Sequence, residues 1–249
     1  MKLAIAGKGG VGKTSLTAWL ADYLSRSGKD VWLVDADTAL SLGMALGLDA
    51  DQTPSPLVLD EELIRERVGH DGFINLAPDV EDLPERLCVR VRGMKLLAMG
   101  TVAGAGGGCA CAANALLKAL LAHLVIERDQ WVLVDLEAGV EHLGRGTVQS
   151  VDGLIVVSEP GLRSLQTAAT IGQMAMTLGL GRQALVLNRA GDQTGLELPQ
   201  LEGLPALAAV LPRLASLEAR QYSSGSVLDL PEQELLDRLC GQVLAALGG

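Results

Sequence analysis

The sequence predicts a three-layer α/β fold, in which a mostly parallel central sheet is flanked by helices. Short apolar runs alternate with longer helical patterns along the chain. Several of those runs are continuous Val, Leu and Ile without polar alternation, as expected of strands covered on both faces. Apolar residues make up 49% of the chain and aromatics only 2%, so the core must be aliphatic strands under Ala/Leu-rich helices.

The candidate strands are residues 2–6, 31–35, 73–77, 131–135, 153–158, 184–188 and 207–211. Between the first two, Leu16, Trp19, Leu20, Tyr23 and Leu24 recur at i, i+3, i+4, i+7 and i+8, one face of a helix. Gly28 supplies its stop. This is a βαβ unit, and its recurrence implies a parallel sheet. The uncharged stretch 96–117 reads as a strand, a glycine-rich loop and a helix start, because glycines and two cysteines interrupt it. Residues 50–56 and 189–205 read as loops, and 232–247 as a terminal amphipathic helix. With no repeat and no low-complexity linker, the 249 residues read as one domain, 1–249.

The formal net charge of -10 argues against a nucleic-acid partner, since an acidic chain repels phosphate backbones. The N-terminus lacks a charged region, a long apolar region and a cleavage site in series, so no signal peptide is expected. Neither membrane insertion nor export is predicted. The four cysteines are then expected in a reducing cytoplasm, where closely spaced thiols suggest metal or redox chemistry.

Gly7-Lys8-Gly9-Gly10-Val11-Gly12-Lys13-Thr14 satisfies G-x-x-x-x-G-K-[ST] between a predicted strand and a predicted helix, the context this phosphate loop requires. The glycines let backbone N–H groups turn inward around a β-phosphate. The following helix presents its N-terminus to the anion. Lys13 would neutralise the β/γ oxygens and the Thr14 hydroxyl would ligate Mg²⁺. The fold class is therefore that of a P-loop nucleotide triphosphatase.

Asp35 and Asp37 end the second strand, and Asp135 ends another. Carboxylates at the carboxyl ends of parallel strands face the crevice where α/β ligands bind. Asp135 reads as the acid that holds Mg²⁺ through water, with Gly139 in a switch loop near the γ-phosphate. Asn188 ends the strand 184–188, followed by Arg189. Its amide offers a donor and an acceptor, matching adenine N6 and N7. The Asp of a guanine-reading N-K-x-D motif is missing from Asn188-Arg189-Ala190-Gly191, which favours ATP over GTP.

In Cys109-Ala110-Cys111, two thiols two residues apart would point the same way if the segment is extended. A disulfide between them would close a small strained ring, so a dithiol is expected. Two soft ligands fall short of the four that Zn²⁺ or a thiolate Ni²⁺ site usually takes. A two-fold dimer would bring two such pairs to one axis. Cys88 and Cys240 have no close partner in sequence and read as packing residues, while His70, His123 and His142 show no ligand spacing.

Lys8, early in K-G-G-V-G-K-T, makes the loop resemble the deviant Walker form of the MinD/ParA/nitrogenase-iron-protein group of dimeric ATPases. The resemblance implies that Lys8 reaches the partner's nucleotide across a subunit interface. It also implies that Asp37 orients the attacking water, that Asp35 supports the metal, that Asn188 reads adenine, and that Pro212-Arg213 lie on the base. The implied catalytic residues are Lys8, Lys13 and Asp37. The implied nucleotide contacts are Gly9, Gly10, Val11, Gly12, Lys13, Thr14, Ser15, Asn188, Arg189, Pro212 and Arg213. Mg²⁺ is assigned to Thr14, Asp35 and Asp135.

Together with Cys109-Ala110-Cys111, the segment Asp135-Leu136-Glu137-Ala138-Gly139-Val140-Glu141-His142-Leu143 and its continuation to Thr147 resemble the CooC-type ATPases over nearly the whole chain. That family matures nickel enzymes such as carbon monoxide dehydrogenase and acetyl-CoA synthase. The resemblance implies a homodimeric, ATP-hydrolysing metallochaperone, with Ni²⁺ or Zn²⁺ bridging the dimer through Cys109 and Cys111 and a nickel metalloenzyme as client. Thr38 stands where a proline is common, and Ala112-Ala113 stand where Pro-Glu is frequent. The competing readings are a positioning ATPase of MinD/ParA type and an iron–sulfur ATP-dependent reductase.

Overall fold

Leu3 and Ile5 alternate with Ala4 and Ala6 along the first strand, and all four are fully buried. The two sets belong to different core clusters, so this strand is covered on both faces. The computed structural model describes residues 1–69, 75–100, 109–123, 130–139, 151–191 and 197–249, with the backbone alone at 109–111. Its strands are β1 (Lys2–Gly7), β2 (Asp30–Ala36), β3 (Val89–Val91), β4 (Met94–Ala98), β5 (Gln130–Leu136), β6 (Gly153–Ser158), β7 (Gln183–Ala190) and β8 (Leu207–Pro212). They form one eight-stranded sheet in the order β3-β4-β2-β5-β1-β6-β7-β8. Every neighbouring pair is parallel except β3 with β4.

The helices are α1 (Lys13–Arg26), α2 (Leu42–Ala45), α3 (Glu61–Val68), α4 (Leu83–Leu87), α5 (Cys109–His123), α6 (Leu162–Thr177), α7 (Ala215–Arg220) and α8 (Gln233–Ala246). On one face, Leu16 and Leu20 of α1 and Leu236, Leu239 and Val243 of α8 pack with Leu3, Ile5, Leu33, Leu133 and Ile155. On the other, Leu165, Ala168 and Ile171 of α6 pack with Ala4, Val34, Val134, Val156 and Leu185. A smaller cluster joins α3 to α5 through Leu63, Ile64, Leu116 and Leu120. Three layers result, as expected. Among the described residues, no helix is long and apolar enough to cross a membrane.

Six of the seven expected strands are present, each within two residues of its expected ends. The strand expected at 73–77 is not found at its described end. There Asn75 Oδ1 accepts from Ala77 N at 3.0 Å, a local turn that competes with extended pairing, and Leu76 is 82% exposed. The short strand beside β4 was not expected. Residues Val89–Val91 fold back on β4 through Arg92 and Gly93, both with positive φ (50° and 82°), as a tight hairpin turn requires.

The strand order puts β1 between β5 and β6, with the chain leaving to opposite sides. This is the switch point at which open α/β sheets bind ligands beyond the carboxyl ends of the strands. The segment joining β1 to α1 lies there.

Candidate functional site

Gly12 is the N-cap of α1, with φ 97° and no side-chain cap on the helix. An uncapped helix start following a left-handed glycine leaves N–H groups available to an anion. A Cβ at Gly12 would lie 2.3 Å from Asn188 Nδ2, so glycine is required here by both conformation and space. The loop is anchored at its start by the Gly7 N–H, which donates to Ala138 O at 2.7 Å. Lys8 O accepts from Lys13 Nζ at 3.5 Å and from Val11 N at 3.4 Å.

Lys13 is buried beneath the loop. Burial lowers its pKa, while Asp135, Asp37 and Glu137 oppose that shift. The cation is therefore kept by nearby carboxylates rather than by water.

Asp35 and Asp135 stand opposite each other in the β2–β5 register, and both are buried. Asp35 accepts from Leu42 N at 2.9 Å and from Asp37 N at 3.2 Å. Burial pushes its pKa up to about 6. Thr17 Oγ1 lies 3.5 Å from Asp135 Oδ1, whereas Asp135 Oδ2 is buried without a hydrogen-bond partner. Burial pushes Asp135 up to about 7 and the Asp35 charge adds to the rise, while the nearby Thr14 hydroxyl opposes it. A buried carboxylate oxygen with no donor is costly unless a water or an ion satisfies it. Thr14 Oγ1 lies nearby on the same α1 face as Thr17, 3.3 Å from Ser41 Oγ. A hydroxyl beside an unsatisfied carboxylate fits hydrated Mg²⁺, a hard cation that keeps several waters. Asp37 sits just beyond the strand end, where its Oδ1 accepts from Ala39 N at 2.8 Å.

A cavity of about 240 Å³ opens beside the helix start, lined by Gly12, Ser15, Trp19, Asn188, Arg189, Pro212 and Arg213 among others. Its volume is below the ~300–1,000 Å³ of a whole ligand site, which suits the base end of a nucleotide. The structure thus brings the predicted base-side residues to one place. Asn188 is more committed than expected: its Nδ2 donates to Val11 O at 2.7 Å, and its Oδ1 accepts from Arg189 N at 2.8 Å. One amide N–H and one lone pair remain for a base. Arg189 Nη1 donates to Gly10 O at 3.1 Å and to Glu159 Oε1 at 2.8 Å.

Lys8 is exposed, and its side chain has no hydrogen-bond or ion-pair partner among the described residues. It lines a second groove, of about 350 Å³, with Ala138, Gly139, Arg163 and Gln166. Cys109 and Cys111 lie in the first turn of α5, so their backbone is helical and not the extended segment in which both thiols would point one way. Their side chains lie outside the described residues, as do His70 and His142. Cys240 is fully buried in the core, where burial pushes its thiol pKa up, in keeping with a packing role. Among the described residues, no group of three or more His, Cys, Asp and Glu is placed to hold a metal.

The sequence reading missed Thr17, Ser41 and Glu159. Thr17 follows Thr14 by one helical turn, and that spacing could have found it. Glu159 follows directly on β6, the same strand-end signal that singled out Asp35 and Asp135.

The model of the CobQ/CobB/MinD/ParA nucleotide binding domain matches residues 2–225. The chain belongs to this family. Within it, the chain is 41% identical over 239 residues to the carbon monoxide dehydrogenase accessory protein CooC of Rhodospirillum rubrum, covering 92% of this chain and 90% of that protein. An uncharacterised ATP-binding protein of Methanocaldococcus jannaschii is 36% identical over 198 residues, 78% of this chain and 76% of that one. The fold of the CobQ/CobB/MinD/ParA family is also seen in the Pyrococcus horikoshii septum site-determining protein MinD complexed with Mg-ADP. That structure superposes with a TM-score of 0.68 at 20% identity, over 97% of this chain and 95% of that one.

Proposed function

We propose that the protein is an ATP-hydrolysing metallochaperone that assists nickel insertion into a client metalloenzyme, carbon monoxide dehydrogenase or acetyl-CoA synthase. The observation that carries this reading is the 41% identity, spanning nearly both chains, to a carbon monoxide dehydrogenase accessory protein. The chain acts as a single P-loop unit that pairs with a second copy in the cytoplasm.

In this reading the amides at the start of α1 cradle the β-phosphate, and Lys13 neutralises β/γ oxygens. Thr14 and Asp135 would hold Mg²⁺, with Asp35 supporting them. Bound there, the ion would supply positive charge to screen the phosphates. Asp37, at the mouth of the strand, orients the attacking water. Lys8, exposed and unpartnered among the described residues, stabilises charge on the partner's nucleotide, so hydrolysis requires the dimer. Catalysis is positional and electrostatic throughout.

Cys109 and Cys111 of two copies supply four thiolates to one Ni²⁺ or Zn²⁺, which is cargo. Thiolate donors in that number suit either ion. ATP closes the dimer around the metal, and hydrolysis releases it to the client. Helix α8 buries Leu239, Val243 and Leu244 in the core, so its apolar face is not free to lie on a membrane surface.

The experiment is anaerobic activation of nickel-free carbon monoxide dehydrogenase with limiting Ni²⁺, ATP and this protein. Activation that needs ATP and fails with Lys13→Ala supports the proposal. Equal activation without the protein would sink it.

A further inference from the structure

Two adjacent residues of one strand grip the outer side of the phosphate loop, which a regular strand does not permit. Successive side chains of a strand point to opposite faces, as Leu185, Val186 and Leu187 do between the two core layers. At the end of β7 the pairing with β8 shifts between Leu187 and Ala190, and Arg189 takes φ 55°. A left-handed non-glycine residue is strained, and bulges beside sites re-aim side chains. Here the irregularity lets both Asn188 and Arg189 reach the loop, the first on Val11 O and the second on Gly10 O.

Peptide planarity gives this grip a consequence. In a trans peptide the carbonyl and the following N–H point in opposite directions. Holding the Gly10 and Val11 carbonyls therefore turns the Val11 and Gly12 N–H groups away from β7: the Val11 N–H closes the loop's turn on Lys8 O at 3.4 Å, and the Gly12 N–H is left for a phosphate.

Asn188 is buried and short, but Arg189 is long and half-exposed, and one carbonyl does not hold a flexible guanidinium. The second hold is Glu159, whose Oε1 accepts from the same Nη1 at 2.8 Å. Glu159 is itself fixed: its N–H donates to Ser164 Oγ at 3.0 Å, and the buried Ser158 and Ser164 hydroxyls are 2.8 Å apart. Glu159 also lines the base-side cavity.

We propose that Glu159 is a nucleotide-positioning residue, which holds Arg189 on the Gly10 carbonyl and so fixes the Lys8–Val11 turn that presents the Gly12 amide to the phosphates. The inference rests on the reading of the loop as an ATP site. Glu159 touches the nucleotide's cradle through Arg189 and takes no part in the bond-breaking step.

The test is binding of a fluorescent methylanthraniloyl-ATP with Mg²⁺ to wild type and to Glu159→Ala, Glu159→Gln, Arg189→Ala and the Glu159→Ala/Arg189→Ala double variant, with melting and steady-state turnover alongside. Wild-type protein that fails to bind the analogue would remove the ATP site itself rather than this role. A half-exposed ion pair adds little to stability, so melting of the nucleotide-free variants should stay within about 2 °C of wild type. Losing a charge-assisted bond that positions the loop should weaken binding about five- to twentyfold in Glu159→Ala, with the loss in KM rather than kcat. Glu159→Gln, which keeps an acceptor, should recover part of it. In the Arg189→Ala background, Glu159→Ala should add less than about twofold. Wild-type affinity in both Glu159 variants, or an effect that adds in full to Arg189→Ala, would overturn the proposal.

Discussion

Asp35 and Asp135 face one another across the β2–β5 register, both buried, and Asp135 Oδ2 has no hydrogen-bond partner. Such a pair is costly in the nucleotide-free protein and becomes useful only when a cation arrives. Asp135→Asn removes the buried charge, so at pH 7.5 it should stabilise the nucleotide-free protein by about 1–3 kcal/mol. The same change should lower ATP turnover a hundredfold or more. Chemical unfolding and a phosphate-release assay measure the two effects on one preparation.

The same carboxylates set a pH dependence. Their folded pKa values, about 6 for Asp35 and about 7 for Asp135, lie above the unfolded value of 3.8. Between the unfolded and folded values, the native protein holds protons that the unfolded chain has released. Stability of the nucleotide-free protein should therefore fall as pH rises from 4.5 to 7.5, by ~5 kcal/mol. Mg²⁺ with ATP favours the charged carboxylates and should flatten the slope. Urea unfolding across this range decides the sign.

Gly12 and Asn188 form a tight pair, because a Cβ at Gly12 would meet Asn188 Nδ2 at 2.3 Å. Gly12→Ala should cost about 2–3 kcal/mol from its left-handed backbone and the clash. Asn188→Ala should cost about 1–2 kcal/mol for the lost bond to Val11 O. The double variant should lose less than the sum, since the clash partner is gone. A double-mutant cycle on unfolding free energies checks this.

Lys8 carries a different signature from Lys13. It is exposed and makes no side-chain bond among the described residues, so Lys8→Ala should leave stability within about 0.5 kcal/mol of wild type. Turnover of ATP should nevertheless fall about a hundredfold or more, because the in-trans cation is lost. Mixing Lys8→Ala with Asp37→Ala protein should restore activity in the mixed dimers, each supplying what the other lacks.

Much of this site was legible in the sequence because its parts are written locally. The phosphate loop, the helix stripe from Leu16 to Leu24 and the strand-end aspartates each depend on residues near one another in the chain. What escaped depends on contacts between distant segments. Glu159 meets Arg189 only because β6 and β7 are neighbours, and no spacing rule reveals that Asn188 and Arg189 reach the loop together past a bulge. Residues 73–77 misled for a related reason: their apolar content suggested a strand, but Asn75 closes a turn on Ala77. The helix start read within 96–117 falls at Cys109, where the run of Ala and Leu favours helix, so the two thiols do not share the extended geometry in which they would point the same way.

The proposed function rests on a dimer that closes around metal at Cys109 and Cys111. Its most direct test is an anaerobic titration with Ni²⁺ and Zn²⁺, following bound metal and molecular mass together, with and without ATP. The prediction is about one tightly held ion per two chains, with the mass of a dimer, and loss of both in Cys109→Ala/Cys111→Ala. Metal binding that is absent, or unchanged in the double variant, would contradict it.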